Sequence, residues 1–171
     1  ALGVRTTFNV IGPLANPAGA RRQVIGVFDP LYLERVAEAL GDLGSERALV
    51  VAGRDGLDEI SSAQPTDAIL YADGSLTASV IDPRGLGIAI PAEGALAGGD
   101  PAGNAAALRA AISGDPGAVR DVLVLNAGAA IWMAGVTSSL EDGMARAEEA
   151  AASGAARERL DAFIDATRRL A

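Results

Sequence analysis

Cysteine, histidine and lysine are all missing from this chain of 171 residues. Without cysteine there is neither a disulfide nor a thiolate nucleophile. Without histidine there is no Ser-His-Asp triad and no His-ligated zinc. Any chemistry falls to carboxylates, arginines, hydroxyls, backbone amides or an oxygen-bound metal. The lack of cysteine is in keeping with the cytosol, and a cytoplasmic location is the expectation. All 14 basic residues are arginine, scattered among 22 acidic ones, and the net charge is −8. Binding a polyanion requires concentrated positive charge, so no nucleic-acid partner is expected. Half of the residues are hydrophobic and mean hydropathy is +0.27, which suffices for a core. Yet no run approaches the ~20 apolar residues of a membrane span. The most apolar stretch, Val122 to Val136, is interrupted by Asn126 and Gly128 and reads as a buried helix. Ala1-Leu2-Gly3 resembles neither a signal nor a transit peptide, and the expectation is a piece from the middle of a longer protein.

What is present divides into an α/β half and a helical half. Residues 1–22 are crowded with turn formers, among them Gly12-Pro13, Asn16-Pro17 and Gly19. Gln23 to Phe28 reads as a buried strand. Asp29-Pro30 supplies an N-cap residue and a proline for the first helical position. Leu33, Val36, Ala37 and Leu40 then mark one apolar helix face, ending near Gly44. Arg47 to Ala52 reads as a second buried strand. Strand, helix and strand within about 30 residues, with apolar rather than alternating strands, predict a parallel βαβ unit. Residues 67–80 predict a hairpin around Asp73-Gly74, a dipeptide suited to a type I′ turn. Residues 81–99 are Gly- and Pro-rich and read as surface loop. Four helices follow: one after Asp100-Pro101 that stops at Gly114, the apolar one over 117–134, one opened by the capping pattern Ser138-Ser139-Leu140-Glu141 and ending near Gly154, and a last one carrying Leu160, Phe163, Ile164 and Leu170.

Three places could carry chemistry. The first is Asp58-Glu59, in the loop Gly53 to Ser61 that follows the second strand. Ligands gather at the carboxyl ends of strands in open α/β sheets. Two adjacent carboxylates there suit a hard divalent cation, since Mg²⁺ takes one or two carboxylates together with substrate phosphates. A solvated acidic turn is the plain alternative, and spacing alone leaves both open. The second is the Gly/Pro/Asn-rich stretch from Arg5 to Gly19, which either lines a site or turns a corner. No Gly-Lys-Ser/Thr follows it, which excludes a Walker-type phosphate loop. The third is Asn126, read as an asparagine bonded to neighbouring backbone, with Trp132 on the same helix read as core. Arg21-Arg22 could steer an anion but reads as an exposed pair.

Taken together, four stretches resemble the anthranilate phosphoribosyltransferase family, in order and over essentially the whole chain. They are LGVRTTFNVIGPLANPAGARRQVIGVFDP from Leu2, GRDGLDEIS from Gly53, GGDPAGNAAALRAAISG from Gly98 and RDVLVLNAGAAIWMAG from Arg120. The resemblance implies a partial nucleoside phosphorylase/phosphoribosyltransferase-like α/β domain, with a mostly parallel sheet, flanking helices and a hairpin. Residues 1–171 would be the C-terminal part of that domain. It implies transfer of the phosphoribosyl group from phosphoribosyl pyrophosphate to anthranilate in tryptophan biosynthesis. Asp58 and Glu59 match the carboxylates that hold Mg²⁺, and Pro13 matches a residue near the anthranilate access path. Arg5 matches an arginine other than the one that contacts the anthranilate carboxylate. No general catalytic residue is assigned. The family's glycine-rich phosphate loop and most of its helical domain, with the homodimer contacts, have no counterpart here. These residues alone are therefore expected to be inactive. Three alternatives remain at this point: a pyrimidine-nucleoside phosphorylase of the same architecture, a non-catalytic nucleic-acid-binding relative, and a regulatory or purely structural domain. The acidic pI and the retained acidic pair argue against the second.

Overall fold

A computed structural model describes residues 12 and 14–170. The chain divides into two compact units, residues 1–87 and residues 88–171.

In the first unit, β1 (Arg22–Gly26) leads through Asp29 into a helix. The Asp29 carboxylate accepts the Leu31 N–H at 3.0 Å, and Pro30 needs no partner for a missing N–H. One 3₁₀ turn, Pro30–Tyr32, runs into α1 (Leu33–Asp42). The buried residues of α1 are Leu33, Val36, Ala37 and Leu40, the face that the sequence spacing marks. They pack with Ile25 and Val27, and with Ala48, Val50 and Ala52 of β2 (Arg47–Gly53). Alternate residues Leu49 and Val51 point to the opposite face of the sheet and are equally buried. Burial on both faces explains why β2 is an unbroken apolar run rather than an alternating one. Gly41 lets α1 approach the sheet: a Cβ there would lie 2.5 Å from the Tyr71 ring.

β1 and β2 pair in parallel, with Arg22 opposite Arg47 and Gly26 opposite Val51. The expected βαβ unit is therefore present. β3 (Thr66–Ala72) and β4 (Ser75–Ile81) complete a four-stranded sheet of order β1-β2-β3-β4. Both added pairings are antiparallel. Among the described residues the sheet is thus mostly antiparallel, not mostly parallel as expected. The βαβ pattern covers only the first two strands. A parallel neighbour requires a crossover, usually helical, whereas the segment between β2 and β3 contains no helix and turns the chain straight back. The hairpin itself is as predicted: Asp73 and Gly74 both have positive φ, 51° and 74°, which is what a type I′ turn demands.

The second unit opens with irregular chain and then contains four helices: α2 (Pro101–Ile112), α3 (Ala118–Met133), α4 (Leu140–Ala152) and α5 (Ala155–Leu170). Asp100 caps α2 through the Gly103 N–H at 2.7 Å. Ser139, not Ser138, caps α4 through the Asp142 N–H at 3.1 Å, while the Ser138 hydroxyl bonds to the Asp142 carboxylate. The capping pattern is one residue later than the sequence suggests. α3 and α4 meet through glycines. A Cβ on Gly143 would lie 2.2 Å from the Gly128 carbonyl oxygen, and one on Gly128 would lie 2.7 Å from the Met144 backbone nitrogen. Val124, Leu125, Ala129 and Met133 of α3 are buried around this crossing. Asn126 donates to the Val122 carbonyl one turn back at 3.0 Å, which is the structural role expected of it. The Trp132 indole N–H reaches the Ser138 carbonyl at 3.1 Å. α5 has no fully buried residue, and Phe163 and Leu170 are exposed. No described helix is long and apolar enough to cross a membrane.

Candidate active site

Because β1 and β2 are parallel, their carboxyl ends lie at the same edge of the sheet. The chain leaving β2 at Gly53 forms the loop 54–65 there. It folds back across the end of β1, and Asp58 sits against Gly26. A Cβ on Gly26 would lie 1.5 Å from the Asp58 carbonyl oxygen and 2.3 Å from its carbonyl carbon. Only glycine permits that approach, so the last residue of β1 leaves room for the acidic segment.

The loop is closed on itself. The Gly53 N–H donates to the Leu57 carbonyl at 2.8 Å, and the Gly56 N–H donates to the Gly53 carbonyl at 2.9 Å. Asp55 accepts the Leu57 N–H at 3.3 Å and the Ser61 hydroxyl at 2.5 Å. The Ser61 N–H goes to the Thr66 hydroxyl at 3.0 Å, and Ile60, Ser61, Ser62 and Thr66 are all buried. At the base of the loop, Arg54 grips Asp67 of β3 with Nε and Nη2, the shortest contact being 2.7 Å. The Asp67 carboxyl is held below its ordinary range. The hydrogen bond from Arg54 is the main cause, partial burial opposes it, and the arginine charge adds to it.

Asp58 and Glu59 ride on this scaffold with both side chains exposed. No described residue engages either in an ion pair or side-chain hydrogen bond, whereas Glu46, Asp55 and Asp67 are all committed to partners. Two adjacent hard oxygen donors left open at the end of a parallel strand pair suit a Mg²⁺ that draws its remaining ligands from water and a diphosphate. Among the described residues no group of three acidic side chains converges. One buried polar atom in the same loop, the Ser62 hydroxyl, has no partner among the described residues.

Asn16 and Pro17, from the Gly/Pro/Asn-rich stretch, line an open groove of about 440 Å³ along β1 together with Gln23 and Gly26. The described part of that stretch therefore lines a recess next to the acidic loop. Pro13 and Arg5 lie outside the described residues. Arg21 and Arg22 both bond to Glu46, at 3.2 and 3.0 Å, and hold the start of β1 to the start of β2. Both remain exposed, as the sequence suggests. The sequence reading did not find Gly26, Asp55 or Ser61. Asp55-Gly56 carries a turn signal, but nothing in the sequence links Asp55 to Ser61 or Gly26 to Asp58.

Known proteins share this sequence and fold. The anthranilate phosphoribosyltransferase of Azorhizobium caulinodans is 51% identical over 170 residues, which is 99% of this chain and 49% of that protein. A crystal structure of the enzyme of that name from Thermus thermophilus superposes with a TM-score of 0.86 at 41% identity, over 95% of this chain and 48% of that one. A structure of the Saccharomyces cerevisiae enzyme in complex with PRPP and Mg superposes with a TM-score of 0.85 at 27% identity, over 95% of this chain and 47% of that one. The chain thus spans about half the length of the relatives it matches. Residues 1–157 match the family described as glycosyl transferase family, a/b domain, and the chain belongs to that family.

Proposed function

We propose that this chain is the C-terminal part of the α/β domain of an anthranilate phosphoribosyltransferase. In a polypeptide of the relatives' length it would transfer the phosphoribosyl group of phosphoribosyl pyrophosphate to the amine of anthranilate. The products would be N-(5-phosphoribosyl)anthranilate and pyrophosphate, in tryptophan biosynthesis. The observation that carries this reading is the open Asp58-Glu59 pair at the shared carboxyl end of β1 and β2. Support comes from relatives of that name, one of them solved with PRPP and Mg.

The chemistry suits a site without histidine or cysteine. As pyrophosphate departs, positive charge develops on the ribose and negative charge on the leaving group. A bound Mg²⁺ would neutralise that negative charge as it forms. Asp58 and Glu59 would hold the cation, and the bracing of their loop would fix the position of their carboxylates. The attacking aromatic amine is neutral, so no strong base is required. Pro13, by its sequence resemblance, would lie near the anthranilate access path. A homodimer in a cytoplasmic setting completes the proposal.

The test is turnover in a polypeptide of the relatives' length, with Asp58→Ala and Glu59→Ala combined. Loss of most activity, not restored by added Mg²⁺, is expected. Near-normal rates at low Mg²⁺ would remove the role assigned to the pair. Residues 1–171 alone are expected to form no product.

A further inference from the structure

We propose that Asp55 and Ser61 are positioning residues: together they brace the segment bearing Asp58 and Glu59, so that its carboxylates are held ready for a divalent cation. This rests on the reading of the acidic pair given above. The acidic pair lies between Leu57 and Ser61, and one carboxylate ties both ends. One Asp55 oxygen accepts the Leu57 N–H, and the other accepts the Ser61 hydroxyl at 2.5 Å. That length is typical of a charge-assisted O–H···O⁻ bond. The Ser61 hydroxyl in turn accepts the N–H groups of Ala63 and Gln64, at 3.0 and 3.1 Å. Ser61 is fully buried, and its own N–H is anchored on Thr66 of β3. The brace therefore runs from the loop tip to the sheet.

Asp55 is also acidic and only three residues from Asp58, yet its bonding separates it from the ligand role. Both of its oxygens already accept hydrogen bonds within the loop, whereas those of Asp58 and Glu59 do not. Partners that orient metal ligands typically change metal affinity by ~10–100-fold when removed.

The experiment measures Mn²⁺ binding by the electron paramagnetic resonance of free Mn²⁺, in the presence of inorganic pyrophosphate. It uses the polypeptide of the relatives' length, with thermal melts of every variant. Asp55→Ala and Ser61→Ala should weaken Mn²⁺ binding by ~10-fold or more. Asp55→Asn has one acceptor oxygen and can keep only one of the two bonds, because the Ser61 oxygen already accepts two N–H groups, so it should weaken Mn²⁺ binding less than Asp55→Ala. If Asp55→Ala does not fold, Ser61→Ala carries the test, because it removes one hydroxyl and leaves every carboxylate in place. Wild-type Mn²⁺ affinity in folded Asp55→Ala and Ser61→Ala, beside lost affinity in Asp58→Ala/Glu59→Ala, would overturn the brace alone. Weakening by Asp55→Asn as large as that by Asp55→Ala would assign the effect to charge and also overturn it. Undiminished affinity in Asp58→Ala/Glu59→Ala would overturn the acidic-pair reading and the brace together.

Discussion

Replacing Gly26 by alanine tests how the sheet positions the acidic loop. The added methyl would start 1.5 Å from the Asp58 carbonyl oxygen, while ordinary van der Waals contact begins at 3.4 Å. The two must therefore separate by about 1.9 Å, the difference between those distances. The clash is with backbone, so no side-chain rotation relieves it. Either the end of β1 or the whole Asp58-Glu59 segment has to move. Overpacking of this kind costs about 1–3 kcal/mol. Misplacing catalytic groups by about 1 Å can cost ~10²-fold in rate. Gly26→Ala should thus fold with a lowered melting temperature and turn over ~10²-fold more slowly, with more Mg²⁺ needed for half-maximal rate. Steady-state kinetics across a Mg²⁺ series, on the polypeptide of the relatives' length, reads this directly. Wild-type turnover and Mg²⁺ dependence in a folded Gly26→Ala would show that contact with β1 does not position the acidic segment.

Further expectations follow from the same packing. Gly143→Ala places a methyl 2.2 Å from the Gly128 carbonyl oxygen and should destabilise the α3–α4 pair by about 1–3 kcal/mol, despite alanine's better helix propensity; chemical denaturation checks this. Leu40→Ala empties a fully buried position of the first unit and should cost about 2–5 kcal/mol by the same measurement. The Asp67 carboxyl titrates below its reference value of 3.8, so its bond to Arg54 contributes stability above that pH and loses it as pH falls through the lower, folded value. Asp67→Asn should therefore melt below wild type at neutral pH, and the gap should close in strong acid. A gap that persists unchanged would contradict the assignment.

Local signals in the sequence located most elements, because local chemistry decides them. The i, i+3, i+4, i+7 spacing of Leu33, Val36, Ala37 and Leu40 corresponds to the buried face of α1. Asp29-Pro30 and Asp100-Pro101 open helical segments, and Asp73-Gly74 turns the hairpin. Sheet direction was less legible. β3 carries the same apolar character as β2, and only the fold of loop 54–65 shows that it runs antiparallel. The capping pattern at Ser138-Ser139 was ambiguous by one residue, since either serine could cap and the next turn offers both Glu141 and Asp142.

The candidate site shows the same division. Adjacent acids after a buried strand are visible as sequence. Their geometry is not, because it depends on Gly26, distant along the chain, and on a serine hydroxyl bonded across the loop. A glycine at the end of a strand has many uses, and only the Asp58 backbone lying against it identifies this one. The arginines illustrate the same limit. Arg21-Arg22 reads as an exposed pair and is exposed, but the sequence does not reveal that Glu46 engages both.

The central claim is that Asp58 and Glu59 together hold the divalent cation that accompanies the departing diphosphate. A crystal of the polypeptide of the relatives' length, soaked with Mn²⁺ and phosphoribosyl pyrophosphate and measured at the manganese absorption edge, tests it most directly. The account predicts an anomalous peak within roughly 2.0–2.3 Å of carboxylate oxygens from this pair, bridged to the diphosphate. A peak elsewhere, with both carboxylates facing bulk solvent, would contradict it.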